Sequence, residues 1–235
     1  MNSSQTMDEQ EKRVLRWGGL AGMLGGILHI LTFVVVLAGP VGGRSAAELE
    51  EWAIFPDIIA ARIVENGLYL VALILGVMLF LALYWALRRT DLALALFGGA
   101  LGIMGLVVLA AGAHPHIAVA PLSELYHAAG ATPGEQATLA LMWLGAWGLF
   151  DALLAVGFFV VAIGFIALGV AMLGAPTFGK GFGWLSVLLG VVGLAAAIFN
   201  MVDPASMVAA LTFLAIIIFQ LVLGWKVYRL SKALQ

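Results

Sequence analysis

Residues 66–89 read NGLYLVALILGVMLFLALYWALRR, twenty-two residues without a charge followed by two arginines. About 20 apolar residues suffice to carry a helix across the hydrocarbon core of a bilayer. In lipid every backbone amide must find its partner within its own segment, so a run of this kind is read as a transmembrane helix. Arg88 and Arg89, with Trp85 just inside them, mark the level at which that helix meets the interface.

The pattern recurs along the chain. Residues 17–43, 92–123, 181–202 and 204–225 are also free of charge, and between Glu135 and Lys180 the only charge is Asp151. Helices are predicted near 17–39, 58–88, 91–113, 133–173, 181–202 and 205–229. The chain then divides into an N-terminal segment (1–16), a six-helix transmembrane domain (17–229) and a tail (230–235). The fold class is all-α: a polytopic bundle with short helices on its outer surface. Composition agrees, with 63% hydrophobic and 10% charged residues and a mean hydropathy of +1.10, where soluble domains carry about a quarter charged residues.

A cleaved signal peptide is the competing account of the first helix, and Val36-Leu37-Ala38 would serve as its cleavage site. The apolar run exceeds the roughly 7–15 residues of a signal core, so a retained helix is expected. Six spans put both termini on one side. That side carries Lys12, Arg13, Arg16, Arg88, Arg89, Lys180, Lys226, Arg229 and Lys232, and the other only Arg44 and Arg62. Lys and Arg concentrate on the cytoplasmic side of membrane proteins. Both termini are therefore expected in the cytoplasm, with the protein in a bacterial inner membrane.

The outer connections carry helix-start signals. Ser45-Ala46-Ala47-Glu48 is a capping-box pattern, followed by Trp52, and predicts a short surface helix. Thr132-Pro133-Gly134-Glu135 is a second box, with proline at the first helical position, and starts the fourth span. That span, continued to Leu173, is about 60 Å long. It must tilt, kink near Gly145 or Gly148, or project outward, in which case the segments 40–57 and 114–131 are its natural cover. Gly18, Gly22 and Gly26, then Gly98, Gly102 and Gly105, then Ser186, Gly190, Gly193 and Ala197 are stripes of small residues that let helices approach closely. Packing within the chain is the expected use. An offset of 85 residues aligns Phe97-Gly98 with Phe182-Gly183, the second and third spans with the fourth and fifth, and Asn66 with Asp151, an echo expected to arise by chance because apolar, glycine-rich text matches itself easily.

Candidate chemistry collects at the outer ends of the spans. Glu65 lies 23 residues outward from Arg88, and Asp151 lies 22 outward from Leu173. Arg62, Glu65, Asn66 and Tyr69 share one helix face, as do Trp143, Trp147 and Asp151. Asn200 and Asp203 end the fifth span at the same level. A carboxylate within a membrane is costly unless paired or wet. Asp151 is thus expected either in an ion pair with Arg62 or in an outward-facing polar pocket of Arg62, Glu65, Asn66, Asp151, Asn200 and Asp203. His29 falls near mid-membrane, where a neutral ring bonded to a neighbouring helix is expected. His114, His116, Glu124 and His127 supply metal-ligand types, but their spacing matches no closed zinc site, so neither metal nor cofactor is expected. Cysteine is absent, and no His-Glu-x-x-His, Gly-x-Ser-x-Gly or phosphate loop occurs.

Three stretches resemble a known family. Arg16-Trp17-Gly18-Gly19-Leu20-Ala21-Gly22, Ala82-Leu83-Tyr84-Trp85-Ala86-Leu87-Arg88-Arg89, and the Pro176 link into Gly183-Trp184-Leu185-Ser186 are similar to the bacterial six-helix membrane family called domain of unknown function 4386. The resemblance covers about 16–230 and implies a six-helix fold, with no activity attached. Lys180 stands four residues after Pro176, where the family tends to place a basic residue directly after the proline.

The leading expectation is a non-enzymatic integral membrane protein that binds a partner or senses a small ligand through that outer pocket. A small secondary transporter is the alternative, and an intramembrane enzyme with Asp151 and Glu65 as acid and base comes third. Its expected partners are the lipid bilayer and a membrane protein or second copy. With a net charge of −2 nothing points to nucleic acid, and no nucleic-acid partner is expected. The topology is testable because the chain has no native cysteine. In intact cells Ser3→Cys and Leu234→Cys should resist an impermeant thiol reagent while Ala129→Cys is labelled; labelling at either terminus would overturn the six-span orientation.

Overall fold

The computed structural model describes residues 9–38, 51–203 and 208–232, apart from the side chains at 51–53, 114–118 and 209. These form α1 (Glu9–Ala38), α2 (Glu51–Leu87), α3 (Leu92–Ala118), α4 (Ala120–Tyr126), α5 (Pro133–Leu173), α6 (Lys180–Val202) and α7 (Ala209–Lys232). There is no strand among the described residues. All except the short α4 are long and apolar enough to cross a membrane. The protein is an all-helical integral membrane protein whose outer helix faces contact lipid.

Local sequence sets the helix ends. At the start of α5, Thr132 Oγ1 accepts the Glu135 N–H at 3.4 Å and Glu135 Oε2 accepts the Thr132 N–H at 2.8 Å, with Pro133 in the first turn. The predicted capping box is therefore complete. Asp91 caps α3 through Leu94 N–H at 3.0 Å. Gly179 enters α6 at φ +79°, a backbone that side-chain-bearing residues rarely adopt.

Three boundaries differ from expectation. α1 is already helical from Glu9, inside the segment 1–16 expected to precede the first span. α2 begins at Glu51 rather than near residue 58 and takes in Pro56, so residue 52 belongs to the second span and not to a separate surface helix. The Ser45–Glu48 capping box lies outside the described residues. α3 runs to Ala118 through Pro115, so His114 and His116 are carried on a helix rather than in a loop. A proline removes one N–H and strains one turn. Close to the end of a helix already fixed by packing, that loss is small. The short surface helix is α4.

The spanning helices close a ring. Each packs against two neighbours in the order α1, α2, α3, α5, α6, α7 and back to α1. Glycine seams draw the walls together. A Cβ at Gly164 of α5 would lie 2.7 Å from the Gly102 nitrogen and 2.9 Å from the Gly98 oxygen of α3. Gly19 on α1 and Gly224 on α7 face each other in the same way, and this contact shuts the ring. These glycines serve packing within the chain, as expected.

The middle of the ring is filled. Phe80 of α2, Phe165 of α5 and Phe219 of α7 form a buried cluster with ring centroids 6.0, 5.5 and 3.8 Å apart. One layer outward, Tyr69, Phe158, Phe213 and His29 form a second aromatic cluster. The 85-residue offset pairs Phe80 with Phe165, which stack on each other, and pairs α2–α3 with α5–α6.

Glycines in a seam and glycines outside one should respond differently to substitution. Gly164→Val should lower stability by about 1–3 kcal/mol, the usual cost of overpacking a filled interior. Gly67→Ala, where nothing lies within 4 Å of the added carbon, should leave the melting temperature unchanged or slightly raised. Thermal unfolding of both variants in detergent measures this; equal losses would mean that the α3–α5 seam is not closely packed.

Candidate functional site

The polar residues singled out in the sequence resolve into separate groups. On the outer part of α2, Arg62 Nη1 donates to Glu65 Oε2 at 2.7 Å, and both side chains are largely buried. Asn66 Nδ2 donates to the Arg62 carbonyl at 2.8 Å. The Arg62 guanidinium also lies 5.8 Å from the Trp147 ring on α5, a cation–π contact that strengthens as water is excluded. These residues satisfy one another along a single helix because their spacing of three and four places them on one face.

Asp151 stands apart. It is half-buried on α5, and among the described residues no hydrogen bond or ion pair reaches it. The expected Arg62–Asp151 bridge is replaced by the Arg62–Glu65 pair. A carboxylate one turn along the same helix is the shorter reach, and the two ions neutralise each other locally. Asn200 is buried on α6 with its Oδ1 unpartnered, while Asp203 is exposed at the end of that helix. α6 packs on α5 and α7, and no described bond joins its two polar residues to the Arg62 group. The described cavities are lined by other residues.

Near mid-membrane a different polar group is tied together. His29 is fully buried on α1, and its Nδ1–H donates to Gln220 Oε1 at 2.8 Å. Gln220 Nε2 donates in turn to the Ala72 carbonyl at 3.3 Å. One relay therefore links α1, α7 and α2. His29 Nε2 and the Tyr69 hydroxyl, in the neighbouring aromatic layer, have no hydrogen-bond partner among the described residues. Sequence reading passed over Gln220. Its signal was present as a lone amide inside the run 204–225, but a scan for charge does not register an amide.

The outermost part of the protein has its own small core. Phe55 and Ile58 of α2 and Val119 between α3 and α4 pack around the buried Trp143 of α5, whose ring lies 4.9 Å from that of Phe55. Gln136 ties α5 back to the Tyr126 carbonyl at 3.0 Å. Of the two segments expected to cover α5, Phe55 and Val119 pack on it, while residues 40–50 lie outside the described residues. Opposite Trp143, Leu141, Met142, Leu144 and Leu149 remain more than half exposed. Among the described residues, no group of three metal-ligating side chains converges.

These pairings make a test. Arg62→Gln and Glu65→Gln should couple by about 0.5–3 kcal/mol in a double-mutant cycle of thermal stability, whereas Arg62→Gln and Asp151→Asn should add independently. Asp151→Asn alone should be neutral or stabilising, since it removes a half-buried charge that nothing pairs. Strong coupling between residues 62 and 151 would restore the bridge. Comparison with protein-family models, with curated proteins and with solved structures found no match, so the reading of this site stands on the chain's own geometry.

Proposed function

We propose that this chain is a non-enzymatic, partner-binding membrane protein that associates with a second copy of itself through the projecting part of α5. One observation carries the reading. About 33 Å of helix lies between Asp151 and Leu173, already enough for a hydrocarbon core of about 30 Å. Residues 133–150 therefore extend beyond the acyl region. One face of that extension buries Trp143; the other presents Leu141, Gly145 and Gly148, flanked by Met142, Leu144 and Leu149. Nothing lies within 4 Å of a Cβ at either glycine, unlike the seam glycines of the bundle. Small residues beside leucines admit close approach of another helix. The face has no charge, and two copies inserted in the same sense would present it at the same height.

The bacterial six-helix resemblance and the inner-membrane, termini-in orientation belong to the same proposal, and the six-span order supports them. Small-ligand sensing through the outer polar residues is the weaker variant, since Arg62, Glu65 and Asn66 already satisfy one another. A transporter would use the His29–Gln220 level, where two unpartnered polar atoms favour it, but transport sites are built at broken helices. The described helices at that level are continuous, and aromatic rings fill the middle. The acid–base reading loses Glu65 to its ion pair.

Single cysteines test the association. Oxidation of membranes carrying Leu141→Cys or Gly148→Cys should give a covalent dimer, and Leu188→Cys, exposed on α6, should not. Adding Gly148→Leu to the Leu141→Cys chain should suppress the dimer. Monomer throughout, with the protein folded and at native abundance, would reject self-association.

A further inference from the structure

We propose that the end of the bundle opposite the projection holds an anionic phospholipid, with its phosphate between α1 and α7 and an acyl chain along α1 and α2. The inference is independent of self-association. A cavity of about 510 Å³ at the α1–α7 junction is lined by Lys12, Arg13, Arg16 and Lys232, together with Glu9, Trp17, Tyr228 and Ser231. The single carboxylate is already engaged, since Lys12 Nζ lies 2.7 Å from Glu9 Oε1. Ser231 Oγ donates to the Tyr228 carbonyl at 2.7 Å. Arg13 and Arg16 are exposed one turn apart and have no acidic partner among the described residues, while the Lys232 ammonium lies 4.7 Å from the Tyr228 ring. The other carboxylate on this turn of α1, Glu11, is taken by Arg88 and Arg89 at 2.6 and 2.8 Å. Three cations therefore face one cavity without a counter-ion among the described residues. A guanidinium pair matches the oxygens of a phosphate, as basic pockets between helix ends match lipid headgroups.

The neighbouring cavity favours a lipid over a free anion. About 490 Å³ in volume, it is lined by Gln10, Arg13, Val14, Trp17, Gly18, Met78 and Leu81. Arg13 and Trp17 line both cavities, so the basic space and the apolar groove lie side by side along α1. Met78 lies nine residues from the end of α2 at Leu87, which carries the groove about 13 Å towards the middle of the membrane. Trp17, well exposed, stands where the two meet, the level at which an indole keeps its ring in lipid and its N–H in water. A headgroup in one space and an acyl segment in the other use both; inorganic phosphate would use only the first.

Native mass spectrometry of the purified protein, titrated with phosphatidylglycerol or phosphatidylcholine of the same chains, tests the proposal. The wild type should retain phosphatidylglycerol in preference. Each of Arg13→Gln and Arg16→Gln should weaken that retention about fivefold, the usual contribution of one basic residue at a membrane surface. Lys180→Gln removes a charge from the same end but outside the cavity, and should change retention by less than about twofold. Leu81→Trp, which fills the groove, should weaken phosphatidylglycerol binding with the basic residues intact. Lys232→Gln is the substitute should the arginine variants lose their wild-type melting temperature. Equal retention of the two lipids, or an equal effect of Lys180→Gln and Arg16→Gln, would overturn the site. Displacement of the lipid by millimolar inorganic phosphate, with Leu81→Trp silent, would assign the cavity to a soluble anion and overturn the lipid.

Discussion

The contact between α1 and α7 is the one on which the rest of the bundle depends. Gly19 and Gly224 bring the first and last spans backbone to backbone, and that contact turns a row of helices into a ring. Lipid tails are as apolar as leucine, so burial alone does not hold helices together in a bilayer. Close packing does, and each glycine seam in this protein is a place where close packing is available. The relay His29–Gln220–Ala72 adds a polar tie at the same junction, joining α1 and α7 to α2.

Once the ring is closed, its middle has to be filled, and the filling limits what the protein can do. Phe80, Phe165 and Phe219 meet there, with the Tyr69, Phe158, Phe213 and His29 layer beyond them. Interiors packed to this degree have little room for a solute path. The two ends are packed differently from this middle layer. At one end the first part of α5 packs Trp143 against residues from α2 and the α3–α4 corner. At the other, the helix ends collect the basic residues around Trp17 and Tyr228.

The charged groups also differ in how they are settled. Glu11 is shared by Arg88 and Arg89, and Arg62 is closed by Glu65, so these ions are balanced inside the protein. Arg13 and Arg16 are not balanced in this way among the described residues. That contrast, rather than the number of charges, separates the ions paired within the protein from Arg13 and Arg16.

Six spans, the Thr132–Glu135 helix start and the gathering of basic residues at one end followed from the sequence alone. Each depends on local order: charge-free length, a cap at fixed spacing, and the alternation of sides that spans impose. The glycine stripes were also legible, and their use within the chain held. Neighbour choice was not legible. Periodicity places Arg62 and Asp151 on suitable faces, yet only the packed bundle shows Arg62 turned along its own helix to Glu65. Nor could the sequence single out Phe80, Phe165 and Phe219 among thirteen phenylalanines, or Gln220 in an uncharged span. In a bilayer apolar text is nearly uniform and pays the same solvent everywhere, so which apolar residue meets which is decided by shape, and shape exists only once the helices have closed on one another.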